Sequence, residues 1–327
     1  MEIILLSDQD VESLVSFEET MQLLEQAFAD YQTGKSLVFP VVREVIKKYQ
    51  GVFGIKSGYL ETQEVLGFKA GGFWLNNMNK GLSNHQSAIM LFDPDTGQPR
   101  AVLAANFVTK LRTGVLGAIS CKYMARPDSE TIAIIGAGMQ GRNQLEATLK
   151  VLPAIRRGYA YDIFPAAAEA LARDFSTNGR VVTVAATAEE ACRMADIIVT
   201  TSSNYKPIVM AEWVKPGTHI NAVGTDTRGK QELDPQIFVR ADKIVVDNMS
   251  QCLYLGECQH AFDAGLITEK SIHAELGEII RGTKSARQTV AEITVFDTTG
   301  VAIQDLVTAG YALQQAVKLN IGVRVKI

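Results

Sequence analysis

The chain contains 327 residues, 47% of them hydrophobic and 21% charged, which is the composition of an ordinary globular protein. This length is large for one hydrophobic core and predicts two domains. The formal net charge of −4 gives no general attraction to polyanions. Nucleic acids and anionic membrane surfaces are therefore excluded as expected partners, and small ligands are favoured.

The cysteines and the N-terminus indicate the cellular setting. Cys121, Cys192, Cys252 and Cys258 form no C-x-x-C pair, and the first residues, MEIILLSDQD, lack the basic region and long apolar core of a signal peptide. We expect a cytoplasmic protein without a membrane segment, because no uncharged run reaches the ~20 apolar residues that a span needs. The spacing of Cys252, Cys258 and His260 matches no zinc pattern, so no metal is predicted.

The first predicted elements are a short strand and an amphipathic helix. The run IILL at residues 3–6 predicts the strand. Ser16 and Glu19 have the spacing of a capping box, and apolar residues recur behind them at helical intervals. A helix is therefore predicted over residues 17–33, ending at Gly34.

Three apolar segments between residues 39 and 74 follow, FPVVREVIK, GVFGIKSGY and VLGFKAGGFW. Their β-branched and aromatic residues, interrupted by glycine, predict a mixed or antiparallel sheet. Arg43, Lys56 and Lys69 lie inside these segments, where a cation is costly unless it is paired or faces a cleft. Three such cations indicate an anion pocket. The alternative is that all three lie on the solvated face of the sheet.

The segment GLSNHQSAIMLF at residues 81–92 ends in the turn DPDTGQP, which is typical of a hairpin. Asn84 and His85 precede the strand and are candidates for the same cleft, although a lone histidine is more often a surface or core residue. A helix is predicted over residues 107–125, with Arg112 in its first turn. The helix dipole disfavours a cation there, so a ligand anion is the better explanation of Arg112.

The stretch TIAIIGAGMQG at residues 131–141 has the pattern of a buried parallel strand followed by a tight turn. Gly136, Gly138 and Gly141 have the G-x-G-x-x-G spacing that admits a pyrophosphate at the start of a helix. Asp162 lies 24 residues after Gly138 and is predicted to hold the adenosine ribose; its alternative is a solvated strand end. No arginine stands at residues 163–166, so NAD is favoured over NADP.

After Asp162 the pattern alternates between helix and strand, which indicates a doubly wound parallel sheet. The predicted elements are residues 166–175, 181–186, 188–194, 196–201, 219–223 and 243–247. Ser202, Ser203 and Asn204 follow one of these strands, at the edge where open α/β sheets bind ligands. A strand and helix with Thr298 at their junction and a final helix over residues 303–319 complete the chain.

Several segments, in this order, resemble the ornithine cyclodeaminase and mu-crystallin family over roughly residues 40–310. They are Gly67-Phe68-Lys69 with Asn76, DPDTGQPRA, Thr109-x-x-Arg112-Thr113-Gly114, IIGAGMQG, GTDTRGKQELD at 224–234 and FDTTGVAIQDL at 296–306. The resemblance implies an α/β homodimer. Its doubly wound NAD domain, residues 128–302, is inserted in an α+β substrate and dimerisation domain, residues 1–127 plus 303–327.

The resemblance also implies roles for particular residues. Arg43, Lys69 and Arg112 would grip the α-carboxylate of the substrate, and Asp226 would face its nitrogen and reacting carbon. The dinucleotide would be lined by Arg112, Thr113, Gly136, Gly138, Met139, Gln140, Gly141, Asp162, Thr201, Ser202, Val223, Gly224, Lys230 and Thr298. Asn84 stands where many members have threonine. Lys56 and Ser57 stand where the family often has Met-Pro, which places an extra cation near the pocket.

These residues predict an NADH-dependent enzyme that reduces an α-imino acid to a small L-amino acid. Lys69 and Asp226 are the predicted catalytic residues. Lys56, with His85 as a helper, motivates a more specific prediction, the reduction of iminosuccinate to aspartate. One alternative is a redox-neutral cyclodeaminase acting on ornithine, whose distal ammonium Lys56 would repel. Another is a crystallin-like protein that binds a ligand without turnover.

Overall fold

The computed structural model describes residues 2–177 and 179–326. The chain divides into two compact units, one of Met1–Arg112 with Val301–Ile327 and the other of Thr113–Gly300. The assignment of one part to the substrate and the other to the dinucleotide stays a prediction. No helix in the described part of the chain is long and apolar enough to cross a membrane.

The first unit contains a series of strands and two helices with capped N-termini near its start. Its elements are β1 (Glu2–Leu6), α1 (Asp8–Leu14), α2 (Phe17–Tyr31), β2 (Ser36–Val38), β3 (Val42–Ile46), β4 (Gly51–Leu60), β5 (Val65–Trp74), β6 (His85–Phe92), β7 (Pro99–Ala104) and α3 (Asn106–Met124), which ends in the second unit. The predicted capping box is confirmed: Ser16 Oγ accepts from the Glu19 amide, and the Glu19 carboxylate accepts from the Ser16 amide.

The second unit alternates strands and helices, and the chain then returns to the first unit. The remaining elements are β8 (Thr131–Ile135), α4 (Met139–Val151), β9 (Arg157–Tyr161), α5 (Pro165–Phe175), β10 (Val181–Val184), α6 (Ala188–Met194), β11 (Ile197–Thr200), β12 (Tyr205–Val209), β13 (His219–Ala222), β14 (Gln231–Leu233), α7 (Gln236–Arg240), β15 (Lys243–Val246), α8 (Met249–Leu255), α9 (Cys258–Asp263), β16 (Ile272–Glu275), α10 (Leu276–Ile280), β17 (Thr294–Asp297), α11 (Ala302–Leu319) and β18 (Val323–Lys326).

The sheet of the first unit is mixed, as predicted. Its strand order is β18-β1-β7-β6-β5-β4-β2, with β3 also paired to β4. The β1–β7 pair is parallel and the other pairs are antiparallel. Helix α11 packs on one face, where Gly67 leaves room for Leu306: a Cβ at Gly67 would lie 3.1 Å from Leu306 Cδ2. This close approach brings the polar residues Gln304 and Asp305 of α11 against the sheet.

The sheet of the second unit is parallel throughout, in the order β10-β9-β8-β11-β13-β17-β15-β16. Its central strands are fully buried, which explains their continuous apolar sequences. The chain extends the sheet from β8 through β9 and β10 on one side and from β11 onward on the other. The carboxyl ends of β8 and β11 therefore form the switch point at which such sheets bind ligands.

Candidate active site

Lys69 and Arg112 share one carboxylate oxygen in the interior of the first unit. Lys69 Nζ lies 2.7 Å from Asp305 Oδ1, and Arg112 Nε lies 2.9 Å from the same atom. Lys69 Nζ also contacts Thr109 Oγ1 at 3.3 Å. Lys69 is 7% exposed, Arg112 6% and Asp305 0%. This Lys69–Arg112–Asp305 cluster thus places two cations and one carboxylate away from bulk water.

Burial and mutual interaction shift the ionisation of this cluster. Burial, followed by the charge of Arg112, lowers the pKa of Lys69 to about 7, against the opposing effect of Asp305. For Asp305, burial alone would raise the pKa, but Arg112 and Lys69 outweigh it and hold the value at about 2. Asp305 is therefore ionised at neutral pH, while Lys69 exchanges its proton near neutrality.

Strand register brings further basic residues to the same face of the sheet. Lys56 is directly opposite Lys69 in the β4–β5 pair. Arg43 is opposite Gly54, two residues from Lys56, so all three side chains point to one side. The prediction that these cations share a face is consistent with the register, and burial of Lys69 rules out a fully solvated face.

His85 lies on this face too, and its environment keeps it neutral. It pairs with Phe73, four residues along β5 from Lys69. Burial, followed by the charge of Lys69, lowers the pKa of His85 to about 4. Its Nδ1 atom is 3.2 Å from Asn106 Oδ1. A neutral imidazole beside the cluster can exchange hydrogen bonds but adds no positive charge.

Two sequence-based expectations need correction, and two others stay predictions. Arg112 is the seventh residue of α3, not a first-turn residue, because the helix already begins at Asn106. Asp305 of the same chain is an anion in contact with Arg112, and the contact of Arg112 with a ligand anion stays a prediction. Ser57 is opposite Phe68 and therefore lies on the other face of the sheet from Lys69, so it is separated from the cluster. Asn84 accepts at Oδ1 from the amide of Met78, and its contact with the substrate stays a prediction.

Two site residues were missed from the sequence. Asp305 joins the cations, and Gln304 Oε1 accepts from Arg112 Nη1 at 2.6 Å. Both are fully buried on α11. The available signal was a pair of adjacent polar residues flanked by apolar residues at the start of this helix, since such residues are buried only when they have partners.

The glycine-rich turn of the second unit is fixed from both sides. Gly136 has φ of +100°, which favours glycine. Thr201 Oγ1 donates to the Gly136 carbonyl at 2.8 Å, and Asp162 Oδ2 accepts from the Ala137 amide at 2.7 Å. Asp162 Oδ1 also accepts from the Phe164 amide. Asp162 therefore shapes the turn itself, and its contact with a ribose stays a prediction.

Helix α4 starts directly after this turn. Gly138 is its N-cap and has no side chain with which to cap the first amides. Gly138 and Met139 are exposed, while Gln140 is half-buried. Gly141 packs closely on the turn, because a Cβ there would meet the carbonyl oxygen of Gly136. The uncapped helix end offers backbone amides to an anion, and this fits the phosphates of a dinucleotide.

The loops after β11 and β13 are held together by a buried carboxylate. Glu232 Oε1 accepts from the Ser202 amide at 2.5 Å, and Glu232 Oε2 accepts from the Gly224 amide at 3.0 Å. The carboxylate of Glu257 in turn accepts from the amides of Glu232 and Leu233. These two acids fix the edge of the sheet that carries the predicted dinucleotide residues Ser202 and Gly224.

Asp226 lies in the loop that this edge supports. Its Oδ1 atom is 3.0 Å from Lys230 Nζ and accepts from Thr227 Oγ1 at 3.1 Å. Lys230 Nζ also reaches the Gly224 carbonyl at 3.4 Å. The Asp226 side chain is 30% exposed, so it is held in place yet accessible.

The remaining predicted dinucleotide residues are largely engaged within the second unit. The Val223 amide donates to the Thr200 carbonyl, which continues the β11–β13 pairing. Thr298 is buried, and its hydroxyl donates to Asp247 Oδ2 at 2.7 Å. Thr113 is buried and accepts at its carbonyl from Gln144. Their contact with a dinucleotide stays a prediction.

The cysteines singled out in the sequence are buried thiols. Burial, followed by the charge of Asp297, raises the pKa of Cys252 and Cys258 well above the ordinary value. No group of three or more His, Cys, Asp or Glu side chains that could hold a metal occurs among residues 2–177 and 179–326.

The sequence matches a known family over nearly its whole length. Residues 1–319 match the ornithine cyclodeaminase/mu-crystallin family. The alanine dehydrogenase of Archaeoglobus fulgidus is 41% identical, with 100% of this chain and 99% of that protein covered. The iminosuccinate reductase of Paracoccus denitrificans is 38% identical, with 99% and 100% covered.

Solved structures with bound dinucleotide have the same fold. An archaeal alanine dehydrogenase dimer with bound NAD has a TM-score of 0.94 at 40% identity, with both chains covered completely. The Δ1-pyrroline-2-carboxylate reductase of Thermococcus litoralis, in complex with NADH and L-proline, has a TM-score of 0.94 at 36% identity and covers 99% of this chain and 100% of its own.

The Paracoccus denitrificans iminosuccinate reductase in complex with NAD⁺ has a TM-score of 0.89 at 37% identity over 100% of both chains. These likenesses confirm the predicted α/β fold with a parallel-sheet NAD-binding domain. The resemblance noted in the sequence is confirmed as well. The chain belongs to the ornithine cyclodeaminase/mu-crystallin family.

Proposed function

We propose that this protein is an NADH-dependent reductase that converts an α-imino acid into a small L-amino acid. The observation that carries the proposal is the Lys69–Arg112–Asp305 cluster, in which two buried cations share one carboxylate oxygen. When Lys69 is protonated, the cluster carries an excess positive charge, which a substrate α-carboxylate would neutralise. Relatives that include an iminosuccinate reductase and a pyrroline-2-carboxylate reductase support the reaction type.

Each part of the proposed reaction has a candidate group in the chain. Arg112 uses Nε and Nη1 for Asp305 and Gln304, and its guanidinium has five N–H donors, so further donors can bind a carboxylate. Lys69 can donate a proton near neutral pH. Asp226 would stabilise the iminium charge. The glycine-rich turn and the uncapped end of α4 would hold NADH, which supplies the hydride.

The proposal is tested by following NADH oxidation with a panel of 2-oxo acids in the presence of ammonium. We expect turnover that needs both the oxo acid and ammonium, and weaker activity with NADPH. Release of ammonia from ornithine without net loss of NADH would instead indicate a cyclodeaminase. Tight NADH binding without turnover on any panel member would indicate a non-catalytic binding protein.

Iminosuccinate is the more specific substrate that we propose. Like charges directly opposite each other in an antiparallel pair are destabilising, yet Lys56 stands directly opposite Lys69. A second carboxylate on the substrate would add a negative charge beside these two lysines. The similarity to the Paracoccus denitrificans iminosuccinate reductase supports this choice.

The same panel measured on Lys56→Met tests that choice. A hydrogen bond to a charged group contributes about 1.5–3 kcal/mol, so kcat/KM for oxaloacetate with ammonium should fall roughly 10- to 100-fold. The value for pyruvate with ammonium should change less than about 3-fold, since its imine has no second carboxylate. Lys47→Met, at an exposed lysine of the neighbouring turn, is the control. Equal losses for both substrates would contradict a role of Lys56 in selectivity.

We also propose that a second copy of the chain covers the sheet face opposite α11, as the resemblance to a homodimeric family implied. Leu37 and Val42 on this face are 51% and 49% exposed, and Ile55, Phe68 and Met90 beside them are half-buried. An archaeal alanine dehydrogenase relative is a dimer. Sedimentation of the protein at the mass of a single 35.6 kDa chain at all concentrations would contradict this proposal.

A further inference from the structure

Asp305 connects three separate elements of the first unit at one atom. It lies in the first turn of α11 and is 0% exposed. Its Oδ1 atom accepts hydrogen bonds from Lys69 Nζ on β5 at 2.7 Å and from Arg112 Nε on α3 at 2.9 Å. Its Oδ2 atom accepts no hydrogen bond from the described residues. Both cations are therefore positioned by one oxygen of one side chain.

We propose that Asp305 is a positioning residue that holds the Lys69 ammonium in place and keeps it charged at neutral pH, so that Lys69 can protonate the substrate. The inference rests on the proposed reductase function. In the reaction, hydride from NADH forms the new C–H bond as the C=N π bond breaks. The nitrogen takes a proton from Lys69 Nζ, which leaves NAD⁺, an amine and a neutral lysine that regains its proton from water.

The charges around Lys69 explain why such a residue is needed. Arg112 on α3 and Lys56 on β4 both disfavour the ammonium, and burial disfavours it more strongly than either. His85 on β6 is neutral, because burial and Lys69 keep its pKa at about 4. Thr109 on α3 contacts Nζ without carrying charge. Asp305 is the carboxylate in contact with Nζ, and it raises the pKa of Lys69 against these effects.

The sign of the expected change follows from this balance. With Asp305 present, the pKa of Lys69 is about 7. Loss of the carboxylate charge removes a favourable interaction of the ammonium, so the pKa of Lys69 falls further. Lys69 then loses its proton at a lower pH. Because the reduction rate falls on the alkaline side when Lys69 is deprotonated, that fall also occurs at a lower pH.

Asp305→Asn is well suited to this test. The amide oxygen can replace Oδ1, and the amide NH₂ group takes the position of Oδ2, which accepts no hydrogen bond from the described protein. The pH at which kcat falls on the alkaline side should decrease by at least about one unit. Above that pH, this shift is equivalent to a tenfold decrease in the protonated fraction of Lys69. Asp30→Asn, a buried carboxylate of the same unit bonded to Gln26, is the control and should leave the pH of this fall unchanged.

A second readout does not require turnover. Acetylation of Lys69 by acetic anhydride, quantified by mass spectrometry of the folded protein across pH, reports the fraction of neutral amine. The labelling midpoint should be at least about one pH unit lower in Asp305→Asn than in the wild type. If this shift occurs while no imine is reduced, the proposed function fails and the effect of Asp305 on Lys69 stands.

Equal labelling midpoints in the wild type and Asp305→Asn would overturn the inference. If Asp305→Asn does not fold, Arg112→Gln tests the same balance by labelling alone. Without the guanidinium, the Asp305 carboxylate interacts with Lys69 alone of the two cations. The midpoint of Lys69 labelling should therefore rise by at least about one pH unit. An unchanged or lower midpoint in Arg112→Gln would overturn the inference.

Discussion

Asp226→Asn should lower kcat for imine reduction by roughly 10²- to 10⁴-fold, the usual loss when a positioned acid–base group is removed. An amide carries no charge to stabilise a developing iminium and cannot take part in proton transfer. Asp226 is suited to such a role, because it is 30% exposed and yet anchored by Lys230 at 3.0 Å. This is one of the two largest effects that we expect from a single substitution.

The loss should come from the chemical step, because contacts other than the Asp226 charge also hold the surrounding loop. Glu232 holds the Gly224 amide, and Lys230 also reaches the Gly224 carbonyl. An asparagine oxygen can still accept from Lys230 and Thr227. NADH affinity, measured by the fluorescence of the bound nucleotide, should therefore change less than about 3-fold, which is under 1 kcal/mol.

Asp263→Asn is the matched control, since Asp263 is an accessible carboxylate of the same unit paired with Arg228 at 2.6 Å. Its kcat should stay within about 2-fold of the wild type, as expected for an exposed ion pair. The role of Asp226 would be rejected if Asp226→Asn retained more than about a tenth of the wild-type kcat. Such a loss, under about 10-fold, is smaller than the roughly 100-fold minimum expected when an acid–base group is removed.

The local parts of the fold were predictable from the sequence, and the strands that depend on long-range pairing were not. The strand, turn and helix around Gly136 were found because glycine spacing and buried β-branched runs are local signals. Strands β12 and β14 were missed, because five and three residues carry no clear periodicity. Strand β14 is fixed instead by its pairing with β12 and by the Glu257 carboxylate, which are long-range interactions.

The site shows the same division. Lys69 and Arg112 were identified because a cation in an apolar element needs an explanation. Asp305 was missed because its partners lie 236 and 193 residues away in the chain, and no spacing rule connects them. The choice of Ser57 was avoidable: adjacent strand residues point to opposite faces, so Lys56 and Ser57 could not both lie beside Lys69.

Gly138→Ala and Gly141→Ala should separate cofactor binding from folding at the glycine-rich turn. A Cβ at Gly138 meets no atom within 4 Å, and φ of −70° suits alanine. The loss of a glycine N-cap should cost under about 1 kcal/mol, so the melting temperature of the unliganded protein should fall by less than about 4 °C. The added methyl would stand where the pyrophosphate must approach, so NADH affinity should fall at least about 10-fold.

Gly141→Ala should act on the fold itself. Its Cβ would collide with the Gly136 carbonyl oxygen and lie 2.9 Å from Ile134 Cγ2, so α4 must move away from β8. Overpacking of this kind costs about 1–3 kcal/mol or more, which lowers the melting temperature by roughly 2–12 °C. NADH binding should weaken as well, because the turn and the start of α4 shift together.

Thermal melts with and without NADH distinguish these outcomes. A ligand at 100 times its Kd stabilises the native state by about 2.7 kcal/mol, so the wild type should melt several degrees higher with NADH. Gly138→Ala should keep its unliganded melting temperature within about 4 °C and lose at least about half of the NADH-induced increase. Gly141→Ala should have both a lower unliganded melting temperature and a smaller NADH-induced increase. A full NADH-induced increase in Gly138→Ala would contradict a close approach of the pyrophosphate to Gly138.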